Sequence, residues 1–228
     1  MVSRRMVALG LLALIATVPA ASAQVPPSAE DIASYGGLHA AAHQGDVAAI
    51  ERLAAAGQDL NLRDGRGRTA LHVAAFARRH DAMRALVRAG ADPRALEHQR
   101  YDAITIAAVA DDLETMKVAI AVGGDPKAIT SLYDGTALIA AAHLGHATVV
   151  GELIRAGAPL DHVNNLGWTA LIEAVVLGRG GPRHVETVRL LVAAGARRDL
   201  ADRQGQTPLA LARGRGYQAM VRLLEQPR

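Results

Sequence analysis

Histidine is the residue type in this sequence with the clearest capacity for chemistry. The chain has nine histidines, and neutral imidazole is a common zinc ligand. His39 and His43 are four residues apart, which places them on one face of a helix, and His143 and His146 are three apart. Each pair could supply two metal ligands. There is no cysteine, which removes disulfides, thiolate catalysis and cysteine-based metal sites.

Nucleophilic catalysis has little support in the residues. After residue 23 the chain has three serines, Ser28, Ser34 and Ser131, and none lies in a G-x-S-x-G motif. The glycine-rich segment 65–68 lacks the lysine and hydroxyl residue of a phosphate-binding loop. The sequence therefore predicts a protein that is not an enzyme and needs no cofactor.

The charge balance also argues against nucleic acid as a partner. The chain has 25 lysines and arginines against 22 acids, a net charge of +3. The basic residues alternate with acids and form no continuous stripe. The high isoelectric point reflects the use of arginine and gives no strong positive field.

The first 23 residues have the pattern of a secretory signal peptide. Arg4 and Arg5 precede an uncharged apolar run over residues 6–18, which is too short for a comfortable membrane span. The small-x-small pattern ending at Ala23 predicts cleavage there. We expect a periplasmic or secreted protein, exported by the general secretory route in preference to the twin-arginine route. Residues 24–35 then form an N-terminal lead and cap, with Ser28 as a helix N-cap.

Self-similarity dominates the rest of the chain. Blocks recur about every 33 residues, and the last follows after 38. The blocks share an apolar first residue followed three residues later by alanine, and the first residues are Leu38, Leu71, Ile104, Leu138, Leu171 and Leu209. A later apolar pair at i, i+3 indicates the buried stripe of a second helix.

Capping residues recur at fixed positions within the blocks. Two residues before the block start stands a residue that can cap a helix, in order Thr69, Asp102, Thr136, Thr169 and Thr207. The first five blocks end in a glycine that predicts a helix C-terminus with positive φ, and these are Gly57, Gly90, Gly123, Gly157 and Gly195.

These blocks resemble the ankyrin repeat. Residues 69–74, Thr-Ala-Leu-His-Val-Ala, and residues 207–212, Thr-Pro-Leu-Ala-Leu-Ala, match the family's T-P-L-H-x-A signature. The resemblance implies an all-α fold, an ankyrin-repeat solenoid of about six helix-turn-helix repeats with β-hairpin loops. The domain would cover residues 36–228, with repeats at 36–68, 69–101, 102–135, 136–168, 169–206 and 207–228.

Within this arrangement the histidines have structural roles. The resemblance implies that His39 and His72 hydrogen-bond between repeats. His43 and His143 share one repeat position but are three repeats apart, which is roughly 24–30 Å at about 8–10 Å per packed helix. We therefore expect no metal site. A module that binds a small molecule or metal through histidines on the concave face stays open as an alternative.

The hairpin tips are the expected partner-binding surface. In register, the tips are residues 64–68, 97–101, 131–135, 164–168 and 202–206. The middle three carry large apolar side chains, namely Tyr101, Leu132, Tyr133, Leu166 and Trp168. Arginines that would form a rim are Arg66, Arg68 and Arg203. Aromatic anchors with such a rim are typical of protein-binding hot spots. For Tyr101 and Trp168, packing between neighbouring hairpins is an equal alternative.

The fifth block contains an insertion of about five residues, within 178–183. We expect Arg179 and Arg183 to lie there on an exposed basic loop between two helices, or on a tolerated surface insertion.

The sequence as a whole predicts an exported, non-catalytic scaffold, an accessory or adaptor for another periplasmic protein. We expect a monomer that is not inserted in the membrane after cleavage. A secreted effector that binds host proteins is a further alternative.

Overall fold

The computed structural model describes residues 24–227, and the predicted signal peptide lies outside this range. The described chain begins with an extended lead and a short helix, α1 (Ala29–Ser34). The predicted N-cap is confirmed, because the Asp31 N–H donates to Ser28 Oγ at 3.0 Å and the Ser28 N–H donates back to Asp31 Oδ2 at 2.9 Å. A capping box thus closes the N-terminal end of α1.

Six helix pairs follow, and they form two layers. The first helices of the pairs are α2 (Gly37–Gln44), α4 (Ala70–Phe76), α6 (Ala103–Val109), α8 (Ala137–Leu144), α10 (Ala170–Val176) and α12 (Pro208–Gly214). The second helices are α3 (Val47–Ala55), α5 (His80–Ala89), α7 (Leu113–Ala121), α9 (Ala147–Arg155), α11 (Pro182–Ala193) and α13 (Gln218–Glu225). Each first helix packs against the next first helix, and each second helix against the next second helix.

The recurring alanines let the first helices pack closely. Ala74, Ala141 and Ala174 are fully buried, and each lies at the same repeat position. Their small side chains bring neighbouring backbones together, while residues such as Met83 and Leu153 on the second helices fill the space between the layers. One continuous core therefore runs the length of the array, as in other solenoids.

The predicted caps define the helix ends. The Thr136 hydroxyl accepts from the Ile139 N–H at 3.3 Å, and Asp102 Oδ1 accepts from the Thr105 N–H at 2.7 Å. All five glycines that end the first five blocks have φ between +79° and +112°, as the sequence predicted. Within residues 24–227, no helix combines the length and apolar character that crossing a bilayer requires.

The hairpin tips share one closure. The side chain of the first tip residue accepts from the N–H groups of the third and fifth residues, and these first residues are Asp64, Glu97, Ser131, Asn164 and Asp202. The fourth residue has positive φ in every tip, including the non-glycines Arg100 and Asp134. Tip 131–135 connects a short antiparallel pair, β1 (Ile129–Thr130) and β2 (Gly135–Thr136). Each tip is thus closed by hydrogen bonds to the side chain of its own first residue.

The insertion in the fifth block differs from the predicted loop. Pro182 and Arg183 are the first residues of α11, because proline fits the first turn of a helix. Gly178 is buried. Arg179 and Arg183 are both exposed as expected, but only Arg179 lies on a loop. The Arg183 guanidinium donates to Asp111 Oδ2 at 2.8 Å, so the insertion reaches back to the third repeat.

Candidate partner-binding surface

Tip 131–135 presents the most exposed large apolar side chain of the described residues. Leu132 is 57% exposed at the end of the hairpin, and Tyr133 beside it is half-buried. Leu166, on the next tip, is also half-buried. An exposed leucine costs solvation free energy unless a partner covers it. These three residues therefore form the apolar part of the candidate surface.

Asn165 connects these residues into one unit. Its N–H donates to the Tyr133 carbonyl at 2.9 Å and its Nδ2 donates to the Leu132 carbonyl at 3.1 Å. Arg203 Nη2 in turn donates to the Asn165 carbonyl. The Arg203 side chain also packs closely over Gly167, because a Cβ added to Gly167 would lie 2.7 Å from Arg203 Cγ. The structure thus brings Leu132, Tyr133, Leu166 and Arg203 together. Nothing in the sequence pointed to Asn165, because asparagine is common in turns.

An ion pair supports the same hairpin from its other side. Arg100 Nη1 lies 2.8 Å from Asp134 Oδ1, between the fourth residues of neighbouring tips. The Ser131 N–H also donates to the Arg100 carbonyl at 3.1 Å. Arg100 and Asp134 both have positive φ, a backbone conformation that residues other than glycine rarely adopt. The contacts between the two tips hold them in this conformation. The apolar surface is pre-organised by these contacts, which lowers the entropic cost of binding.

Tyr101 and Trp168 lie one tip on either side of Leu132 and point partly inward. Both are half-buried and pack against the core. Burial raises the pKa of the Tyr101 phenol, and the negative charge of Glu97 raises it further. Packing against the core therefore accounts for much of the buried surface of these two residues.

The prediction that Arg68 lies on the rim is wrong. Arg68 is 1% exposed, and its guanidinium lies 2.6 Å from Asp64 Oδ2 and 2.9 Å from Asp31 Oδ2. The hydrogen bond from Arg68 and that from the Ser28 N–H lower the pKa of Asp31 to about 2. Arg68 therefore fastens α1 to the first tip. Arg66 is exposed, but it lies two tips away from Leu132 and faces Asp31.

The histidines at the signature position bond between repeats, as the resemblance implied. His39 Nε2 lies 2.9 Å from the Arg68 carbonyl, and His72 Nε2 lies 3.1 Å from the Tyr101 carbonyl. Burial lowers the pKa of His72 to about 4 and keeps its ring neutral. Among residues 24–227, no three histidines, aspartates or glutamates are grouped so that they could hold a metal ion.

Glu173 is a buried carboxylate that the sequence reading missed. It is 3% exposed on α10, at the repeat position that Val73 and Ile106 occupy elsewhere. Its Oε1 accepts from Asn164 Nδ2 at 3.0 Å, and its Oε2 lies 3.2 Å from His143 Nδ1. A charged residue at a repeat position that is otherwise apolar was the sequence feature that could have indicated it. Glu173 ties the fourth tip to the fourth and fifth repeats.

Stacked helix pairs with projecting, hydrogen-bonded tips define a solenoid interaction module. The family model of ankyrin repeats (3 copies) matches residues 38–128 and 104–195, which together make up more than half of the chain. The chain belongs to the ankyrin-repeat family.

Relatives and solved structures show the same fold. An ankyrin repeat protein of Escherichia coli (strain K12), YahD, is 40% identical over 93 residues, which are 40% of this chain and 46% of that protein. The chain thus spans less than half of the length of this curated relative. An ankyrin repeat domain from Acinetobacter baumannii AYE is 42% identical, with a TM-score of 0.75, over 82% of this chain and 95% of that one. The ankyrin repeat protein EF0377 is 28% identical, with a TM-score of 0.77, over 85% and 98% of the two chains.

Proposed function

We propose that this protein is an exported, non-catalytic scaffold that binds another protein, as an accessory factor or adaptor for a periplasmic protein. Ankyrin repeats typically mediate protein–protein interaction, and proteins of the family are generally non-catalytic scaffolds. The signal-peptide pattern of residues 1–23 supports export. The proposal assigns the contact surface to tips 131–135 and 164–168.

One observation carries this assignment, the 57% exposure of Leu132 on a tip whose backbone is fixed on both sides. A mobile loop with an exposed leucine would need no partner to explain it. Here Asn165 and the Arg100–Asp134 pair hold the tip in one position. A fixed apolar residue beside an aromatic ring and near an arginine has the composition of a binding hot spot.

The test compares two variants of this protein as affinity baits in periplasmic extract. Leu132→Ser/Tyr133→Ser removes the proposed anchors, and Leu62→Ser is the matched control because Leu62 is 49% exposed on another hairpin. We expect a stoichiometric partner with the unmodified protein and with the control, and at least a tenfold loss with the double variant. Equal capture by all three baits would contradict the assignment.

A further inference from the structure

A cleft lies between the first two tips and the N-terminal lead, away from Leu132. Its volume is about 480 Å³. Val25 lines it from the lead, Arg66 and Gln99 from the two tips, and Phe76 from the end of α4. Tyr101 completes the wall. The cleft is large enough for a long side chain, and none of the apolar residues proposed as partner anchors at tip 131–135 lines it.

Two aromatic rings supply the apolar part of this cleft. Phe76 is the only phenylalanine of the chain, and it is half-buried at the C-terminal end of its helix. Tyr101 is half-buried as well. Aromatic faces attract cations, and they also cover the methylene stem of a long basic side chain.

The polar part of the cleft is rich in acceptors. Gln99 Oε1 is buried and has no hydrogen-bond partner among residues 24–227. Glu97 Oε1 accepts from the N–H groups of Gln99 and Tyr101 at 2.9 and 3.1 Å. None of the ion pairs found among residues 24–227 includes Glu97. A buried acceptor without a donor is costly, so rotation of the Gln99 side chain toward a ligand that brings donors relieves that cost.

Arg66 places a cation of the chain itself at the rim of the cleft, and His98 lines the cleft as well. Arg66 Nε lies 3.8 Å from Asp31 Oδ2, and half of the Arg66 side chain is exposed. Asp31 is already compensated by Arg68 at 2.9 Å. Glu97 is therefore the uncompensated carboxylate of the cleft, and Arg66 shows that a guanidinium fits at its edge.

We propose that this cleft binds the cationic side chain of an arginine or lysine of a partner protein. The inference rests on the proposed function for the source of that side chain. The stem lies against Phe76 and Tyr101, and the charged head donates to the Glu97 carboxylate. Gln99 Oε1 joins as a second acceptor once its side chain turns toward the cleft. Arg66 competes for the same acidic rim. The partner is thus held at two places, by apolar contacts at tip 131–135 and by a basic side chain here.

The test is an NMR titration of the isotope-labelled protein with three capped tripeptides. The probes are acetyl-Ala-Arg-Ala-amide, the same peptide with uncharged citrulline, and the same peptide with glutamate. We expect saturable shifts of the backbone amides of residues 97–101 and of Phe76 with the arginine peptide alone. Equal binding of the citrulline peptide, or no shift with any of the three, would overturn the proposal.

Two variants sharpen the result. Glu97→Gln keeps the side-chain oxygen that closes the tip and removes the charge, so the arginine peptide should bind roughly fivefold more weakly. Arg66→Gln removes the competing cation, so the same peptide should bind about twofold more tightly. If the glutamate peptide binds instead, and Arg66→Gln abolishes that binding, the cleft is an anion site and the proposal is wrong.

The titration separates this site from the proposed function. Absence of arginine-peptide binding, with capture still dependent on Leu132 and Tyr133, removes the cation site alone. Binding of the arginine peptide, with capture independent of those two residues, overturns the tip interface alone.

Discussion

Arg68 reaches back 37 residues along the chain to Asp31, and its Nη2 lies 2.9 Å from Asp31 Oδ2. The same guanidinium bonds Asp64, whose Oδ2 also accepts from the Tyr35 hydroxyl at 2.8 Å. Burial of this phenol and its bond to Asp64 raise the pKa of Tyr35. A terminal repeat has no outer neighbour, and this polar network is what joins α1 to the array in its place.

Replacing Arg68 with methionine should destabilise the protein strongly. The change leaves Asp31 and Asp64 without their shared cation, and breaking a buried ion pair on one side costs about 3–5 kcal/mol. Urea unfolding at pH 7 measures the effect. Arg66→Met is the matched control, because Arg66 is exposed and should change the free energy of unfolding by less than about 0.5 kcal/mol. Equal losses for the two variants would contradict this role for Arg68.

The Asp31 carboxylate should make stability depend on acid pH. Its folded-state pKa is lowered to about 2, mainly by the hydrogen bond from Arg68, against about 3.9 for an unfolded chain. The stabilisation is therefore complete above about pH 4 and is lost as the pH falls toward 2. Urea unfolding between pH 2.5 and 7 should show Asp31→Asn approaching the unmodified protein at the acid end. A constant difference across this range would exclude the carboxylate as its source.

The buried charge of Asp102 should lower the free energy of unfolding at neutral pH. Burial raises its pKa, although the Thr105 N–H and hydroxyl both bond its Oδ1 at 2.7 Å. Asp102→Thr keeps a capping oxygen and removes the buried charge, so it should stabilise the protein by roughly 1 kcal/mol at pH 7. Because the folded-state pKa is the higher one, this gain should fade as the pH drops through that raised pKa and be absent below about 4, the unfolded value.

Thermal unfolding at pH 7 and pH 3.5 measures the effect of Asp102→Thr. Asp102→Ala loses the cap as well as the charge, and it should fall about 1 kcal/mol below Asp102→Thr. A threonine variant less stable than the unmodified protein at pH 7 would show that the cap needs the carboxylate.

Gly178 should be intolerant of any side chain. A Cβ there would lie 2.1 Å from the Ala174 carbonyl oxygen and 2.5 Å from the ring of His184. Gly178→Ala should therefore cost about 2 kcal/mol, since the backbone around α10 must move. Gly181 has open space and φ of −74°, so Gly181→Ala should be nearly neutral. Thermal unfolding of both variants checks this, and equal melting temperatures would refute it.

The repeat period predicted the helices well because each pair uses the same local rules. The apolar spacing recurs in all six blocks, the capping residue in blocks two to six and the closing glycine in blocks one to five. An error in one block could therefore be corrected from its neighbours. The burial of Arg68 could have been predicted from its position within the repeat. Tyr101 and Trp168 occupy the equivalent fifth tip position, and both pack against the core. Arg68 is charged, and its partner Asp31 lies outside the repeats, so its charge alone led to the prediction that Arg68 would be exposed.

The contacts between repeats were harder to predict. Asn165 bonds the preceding tip with both its backbone and its side chain, and nothing in its own segment announces this. Glu173 broke an apolar register, but its partners His143 and Asn164 come from two different segments. Periodicity reports what each block shares with the others. It carries little information on the side chains by which one block differs from the next.

The link from Arg183 to Asp111 passes over an entire repeat. In a linear array each unit is normally coupled only to the units beside it, so unfolding can spread one unit at a time from an end. A bond between second neighbours adds a coupling that skips the fourth unit. Arg183 is 60% and Asp111 42% exposed, so this coupling should contribute less than about 1 kcal/mol to the opening of the fifth unit, and hydrogen exchange of α11 in Arg183→Gln should be faster by that small amount.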